Sequence, residues 1–205
     1  MTNLHCFDFD GTLTIHDSLF AIIRYQRGMS GMLLLLLRHL PSIIMMKLGM
    51  RSNHATKEAL LFDCFGHMTG SEFDSFAQRF AEAEHTRLLR PDIFAKFCEA
   101  CQREEQVIVI SASGEQWIRP IITKAMPAKT STEPMILATQ LNFNQPTARN
   151  FFLTPNCYGQ EKVNRLLKAM PDIALHRADY HITAYGDSAG DREMSRYADD
   201  FVWVK

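Results

Sequence analysis

Apolar runs with strand spacing alternate with helix-patterned segments at both ends of this chain, and that alternation constrains the fold more than any other feature. "LHCFDFD", "QVIVISAS", "HITAYGD" and "FVWV" read as buried strands; "DIFAKFCEACQRE", "GEQWIRPIITKAM", "QEKVNRLLKAM" and "AGDREMSRYA" read as helices. Strands that alternate with helices join into a parallel sheet covered on both faces, and such a sheet puts its chemistry at the carboxyl ends of its strands. The expected fold is therefore α/β, a Rossmann-like parallel sheet core with helices on both faces. "MILATQLNFN" and "ARNFFLT" are predicted to pair as a hairpin.

Between the first strand and the first of these helices the pattern changes. "SLFAIIRYQR", "GMLLLLLRHLPSIIMMKLG", "SNHATKEALLFDCF" and "TGSEFDSFAQRFAEAEHTRLL" carry helical periodicity and no convincing strand. The chain thus divides into a catalytic core, residues 1–15 and 90–205, and an all-helical cap, residues 16–89, expected to cover the catalytic face. With 46% of its 205 residues hydrophobic, the chain is long enough to bury one substantial core.

Polar residues gather where the predicted strands end. The first end supplies Asp8, Asp10 and Thr12, the second Ser111, and the last long strand, through "GDSAGD", Asp187 and Asp191; Lys162 opens a helix after "NCYGQE". Four carboxylates brought to one sheet edge repel one another unless a cation lies among them, and an all-oxygen ligand set suits Mg²⁺ rather than zinc. An anion such as phosphate then completes the charge balance. Asp8 is placed to attack phosphorus, and Asp10, on the same face of an extended chain, to protonate the leaving oxygen and later activate water. Gly11 lets the chain turn toward the phosphate, and Thr12 is expected to brace that turn. Alone, D-x-D-G is also an ordinary surface turn; Ser111, Lys162 and "GDSAGD" in this order argue for the site.

"DFDGTLT", "VIVISAS", the lysine of "YGQEKV" and "YGDSAGDREM" resemble the four motifs of the haloacid dehalogenase-like superfamily of phosphohydrolases. A helical cap after the first motif is similar to the phosphoserine phosphatase-like branch, subfamily IB. The resemblance implies an aspartyl-phosphate phosphatase, with Asp8 as phosphoryl acceptor and Asp10 as acid/base. It implies that Asp8, the Asp10 carbonyl and Asp187 hold Mg²⁺, supported by Asp191. Gly11, Thr12, Ser111, Ala112 and Lys162 would bind the substrate phosphate. Two departures from the branch weaken serine recognition: Ser188 and Gly190 alter the last motif, and Asp17 stands where a glutamate is usual. "HDSLF" also reads as an N-cap at Asp17. A phosphotransferase, or a phosphate-binding module without catalysis, are the other functions this pattern allows.

Residues 24–57 carry six basic residues (Arg24, Arg27, Arg38, Lys47, Arg51 and Lys57) and no acid, beside "MLLLLL" and "IIMM". Arg38, His39 and Pro41 interrupt the run midway, which argues against a spanning helix. The choices left are a buried cap helix or a peripheral contact with an anionic membrane. The cap resembles that of bacterial phosphatidylglycerophosphate phosphatases of the same subfamily, so the substrate is expected to be a small or lipid phosphomonoester. A net charge of -1, from 22 basic and 23 acidic residues, gives no reason to expect a nucleic-acid partner. Five irregularly spaced cysteines and no signal-peptide pattern suit a cytoplasmic protein, and Cys98 and Cys101 read as one face of a helix.

Overall fold

The computed structural model describes residues 1–128, 130 and 133–205. Five strands, β1 (Thr2–Phe7), β2 (Gln106–Gly114), β3 (Met135–Thr139), β4 (Tyr180–Gly186) and β5 (Asp200–Trp203), form one sheet in the order β3-β2-β1-β4-β5. Each neighbouring pair is parallel. Strand order reverses beside β1, and the register pairs Phe7 with both Val109 and Tyr185. Asp8 and Asp187 follow the last residues of β1 and β4, and Ser111 stands in β2 two residues past Val109, so the three lie along one edge, the place where ligands bind in open sheets of this kind.

Period-two alternation assigns the strand side chains to two cores. Phe7, Val107 and Val109 face α4 (Pro91–Gln102) and α5 (Glu115–Ala125), meeting Phe97, Ile118 and Ile121. Leu4, Cys6, Ile108, Ile110, Ile182 and Ala184 face the other way, toward Leu166 on α6 (Gln160–Ala169), Ile173 on α7 (Pro171–Leu175) and Met194 on α8 (Arg192–Tyr197). Both faces are therefore covered by helices, as the alternating pattern requires.

Three helices stand between β1 and α4. The first, α1 (Ser18–Lys47), is kinked at Gly28, where φ is 69° and ψ is 176°. The second, α2 (Asn53–Phe65), is capped by Ser52, whose Oγ accepts from the Ala55 N–H. The third, α3 (Gly70–Leu88), opens with a capping box: Thr69 Oγ1 accepts from the Glu72 N–H, and Glu72 Oε2 accepts from the Thr69 N–H. Along α3, Phe73, Phe76, Ala77, Phe80 and Ala81 follow helical spacing on one face and pack against α5. These residues, Ile22 and Ile23 of α1, and Leu60, Leu61 and Phe65 of α2 share one buried cluster with the first face of the sheet.

The insertion begins and ends at one point. Thr14 forms an antiparallel bridge with Leu89, the Ile15 N–H donates to Leu88 O at 2.7 Å, and the Arg90 N–H donates to Leu13 O at 2.8 Å. The hairpin predicted over residues 135–154 forms in part: β3 joins the parallel sheet, and beyond it Leu141 bridges Phe152 antiparallel, with the Asn142 N–H donating to Phe151 O at 2.7 Å and the Leu153 N–H to Gln140 O at 2.8 Å. Buried Phe151 turns into the main cluster and meets Phe62 and Phe143 edge-on, so side-chain packing adds to this short ladder.

Because the insertion and the sheet share one core, Phe80→Ala should cost about 3–5 kcal/mol, the usual range for truncating a buried phenylalanine. Urea unfolding should remain a single transition whether followed by fluorescence or circular dichroism.

Candidate active site

At the end of β1 the chain makes one wide turn over Phe9–Leu13. The Asp8 N–H still donates to Tyr185 O at 2.9 Å, so the first acid is held by the sheet itself. Gly11 takes φ 76°, and a Cβ there would lie 2.3 Å from Asp187 Oδ2; both facts require glycine. The brace is Thr14 rather than Thr12. Thr14 Oγ1 accepts from the Gly11 N–H at 3.2 Å and lies 3.2 Å from Phe9 O and 2.7 Å from His16 O. Thr12 is fully buried, its hydroxyl has no partner, and it does not line the cleft: the turn rotates residue 12 into the core and brings residue 14 back beneath residue 11.

Beside this turn lies a buried ion cluster. Lys162, in the first turn of α6 and 3% exposed, donates to Asp8 Oδ1 at 2.6 Å and to Asp191 Oδ1 at 2.5 Å. The other oxygen of Asp191 accepts from the N–H groups of Asp187 and Ser188 and from the Ser188 hydroxyl, which shapes the "GDSAGD" turn. Carboxylate oxygens of Asp8, Asp187 and Asp191 lie within 4.8 Å of one another. Burial pushes the Asp8 carboxyl up to about 7 against the pull of the Lys162 ammonium, with Asp191 and Asp10 adding to the rise. For Lys162, burial works against the ammonium, but the two carboxylates outweigh it and hold its pKa above the ordinary value. Asp187 is also raised, by burial and then by Asp191. With all three carboxylates ionised, one ammonium would leave two negative charges on an oxygen-only set, which fits a divalent hard cation.

Asp10 is held differently. Its Oδ1 accepts from the Ser18 N–H at 2.6 Å, at the start of α1, and its Oδ2 from the Ser113 hydroxyl. Trp117 Nε1 in turn donates to Ser18 Oγ at 2.9 Å, so the buried indole supports the acid's cradle as well as filling the core. The Asp10 carboxylate therefore stands apart from the other three acids. Ser113 was missed in the sequence, although period two places it on the same face as Ser111, whose Oγ accepts from the Ser113 N–H.

A cleft of about 450 Å³ opens over these groups, lined by Asp8, Asp10, Gly11, Ser111, Ala112, Lys162 and Asp187. Asp191 lies buried next to it, joined to it through Lys162. Beyond these, His16, Asp17, Lys57 and Tyr158 also line the cleft. Lys57 comes from α2 and is one of the six basic residues of the apolar segment. Asp17 is the N-cap of α1, its Oδ1 accepting from the Leu19 N–H at 2.8 Å. Burial and then Asp10 raise its pKa, while Lys57 opposes the rise.

A parallel α/β sheet whose central strand ends in two aspartates, facing a buried lysine and a second acid pair, defines a class of enzyme core. The sequence profile of the haloacid dehalogenase-like hydrolases matches residues 6–196, and the chain belongs to that family. It is 30% identical over 199 residues to the protein CicA of Caulobacter vibrioides, covering 96% of this chain and 83% of the relative. A protein of unknown function from Bordetella pertussis Tohama I superposes with a TM-score of 0.78 at 14% identity, over 99% of this chain and 90% of that one. A phosphoserine phosphatase captured as a phospho-aspartyl intermediate analogue superposes with a TM-score of 0.56 at 16% identity, over 98% and 86%.

Lys162→Met should leave Asp8 and Asp191 as uncompensated buried carboxylates. Breaking a buried pair in this way costs about 3–5 kcal/mol. Urea midpoints measured in EDTA should show that loss.

Proposed function

We propose that the chain is a Mg²⁺-dependent phosphatase that hydrolyses a phosphomonoester through an aspartyl-phosphate on Asp8. The observation that carries this reading is the meeting of Asp8, Asp187 and Asp191 with the buried Lys162 ammonium at the strand ends. Asp8, Asp187 and the Asp10 carbonyl would hold the metal, with Asp191 in support, and the metal would supply positive charge against the phosphate oxygens. Ser111 and Lys162 bind the phosphate, and Gly11 and Ala112 line its path.

An Asp8 oxygen attacks phosphorus while Asp10, protonated, gives its proton to the departing alcohol oxygen. The product is an alcohol and an aspartyl-phosphate. Asp10, now ionised, takes a proton from water as that water attacks the phosphorus, releasing inorganic phosphate and restoring Asp8. The Ser18 N–H and Ser113 hydroxyl keep Asp10 turned toward the cleft through both steps.

Residues 16–89 act as a cap over a core of residues 1–15 and 90–205, attached at the Thr14–Leu89 bridge. Lys57, Asp17 and His16 face the alcohol portion of the substrate. A second groove of about 350 Å³ shares His16 and Asp17 with the cleft and is walled by Phe20, Met29 and Met32 together with Arg24, Glu84 and Arg87, a mixed lining that leaves room for a lipid or a small phosphomonoester. Five unpaired cysteines suit a reducing, cytoplasmic setting.

The test is turnover of p-nitrophenyl phosphate with Mg²⁺ and with EDTA. Activity should vanish in EDTA and Ca²⁺ should not restore it, because its larger, looser coordination shell misplaces the nucleophile. Asp8→Asn should fall below about a thousandth of wild type, the usual cost of removing a covalent catalyst. Asp10→Asn should accumulate phosphoenzyme. Phosphate binding without turnover in the wild type would identify a binding module instead. Lys57→Ala should raise KM for phosphomonoesters that carry a second anion and leave p-nitrophenyl phosphate unchanged.

A further inference from the structure

The most apolar part of α1 is not in the core. Only 11% of its most apolar stretch is buried, and Leu33, Leu34 and Leu37 are 53–70% exposed. The residues before Gly28 behave differently, with Leu19, Ile22 and Ile23 packed inside. Beyond the kink, residues 29–47 form an arm about 28 Å long at 1.5 Å per residue.

The arm has two sides. At about 100° per residue, Leu33, Leu37, Leu40, Ile44 and the C-cap residue Leu48 fall within an arc of about 80°, and Leu34 and Met45 widen it to about 140°. All seven are exposed. Leu35 points the other way and is buried, and His39 bonds Asp63 of α2 at 2.9 Å, so the arm lies flat against the protein. Exposed Lys47 borders the arc on one side and Arg38 on the other.

The same geometry separates the six cations of this segment. Arg24 faces Glu84, Arg27 donates to Asp63 O, Arg51 donates to Ala55 O, and Lys57 lines the cleft. Arg38, though 3.3 Å from Asp63, keeps its side chain 73% exposed. Arg38 and Lys47 are thus the charges available at the margins of the apolar arc.

We infer that residues 29–47 form an interfacial arm that lies in the plane of an anionic membrane, with the leucine-rich arc inserted and Arg38 and Lys47 at the headgroups. An apolar helix face bordered by long basic side chains is what such a surface binds, since the aliphatic stems stay with the hydrocarbon while the charges reach the phosphates. The helix is long and apolar enough to cross a bilayer, but Arg38, midway along the arm, and the protein packed behind it favour lying in the plane. A second copy of the chain fits less well, because a two-fold contact sets this face against itself and brings like charges together with no acid between residues 24 and 57 to offset them. The inference is independent of the phosphatase reading.

The full chain should float with vesicles of phosphatidylglycerol and phosphatidylcholine at low salt, bind vesicles of phosphatidylcholine alone far more weakly, and be released by high salt. Arg38→Glu with Lys47→Glu should weaken partitioning at least about thirtyfold, the factor for two lost basic contacts of ordinary strength. Leu37→Glu with Ile44→Glu should abolish it, while both double variants keep the wild-type circular dichroism and p-nitrophenyl phosphate turnover. Failure of the wild type to float with anionic vesicles overturns the inference. Light scattering that shows a dimer in the wild type and a monomer in Leu37→Glu with Ile44→Glu, without flotation, would assign the arc to a subunit contact. Loss of turnover in the Arg38 and Lys47 variant would place those charges at the cleft instead.

Discussion

The ammonium of Lys162, held between Asp8 and Asp191, is the interaction on which the rest of the site depends. Without it two carboxylates would face each other in a buried space, and neither the end of β1 nor the turn after β4 could keep its course. With it, one oxygen of Asp191 is fixed and the other is free to accept three hydrogen bonds from Asp187 and Ser188. A single cation therefore sets the shape of two backbone segments from opposite ends of the sequence. It neutralises only part of the acid cluster, so the oxygen set at the strand ends keeps a net negative charge.

Asp10 is organised from another direction. Its two oxygens are held by the first N–H of α1 and by a serine at the end of β2, and the indole of α5 secures the connection through Ser18. The helical insertion thus starts at the second acid, and the shared hydrophobic cluster makes the position of that acid a property of the whole packing. Displacing α1 would change the hydrogen bonding of Asp10 before it changed anything at Asp8.

Much of this was legible in the sequence because the signals are local and periodic. Strand ends that finish in Asp8, Ser111 and Asp187 follow from period two and parallel topology, and Lys162 follows from its place at the head of a helix. Thr14 was not legible, because which of two threonines returns beneath Gly11 depends on the width of one turn. The hairpin was legible only in its inner part, since β propensity reports a pleated, half-buried surface and says little about which neighbour supplies it. For residues 29–47 hydrophobicity left burial and exposure open, and the side facing outward was set by the direction in which α1 leaves its kink.

That kink rests on one residue. With φ at 69° and ψ at 176°, Gly28 occupies a region of backbone space that is essentially closed to side chains. The heading of everything beyond it, about five turns of helix, is encoded in the absence of a single carbon atom. Any residue with a Cβ would favour an unbroken helix there, swinging the leucine-rich face away from its present bearing without altering one of its side chains. The angle between the cleft and the surface presented by the arm is in this sense a heritable quantity with a single genetic address.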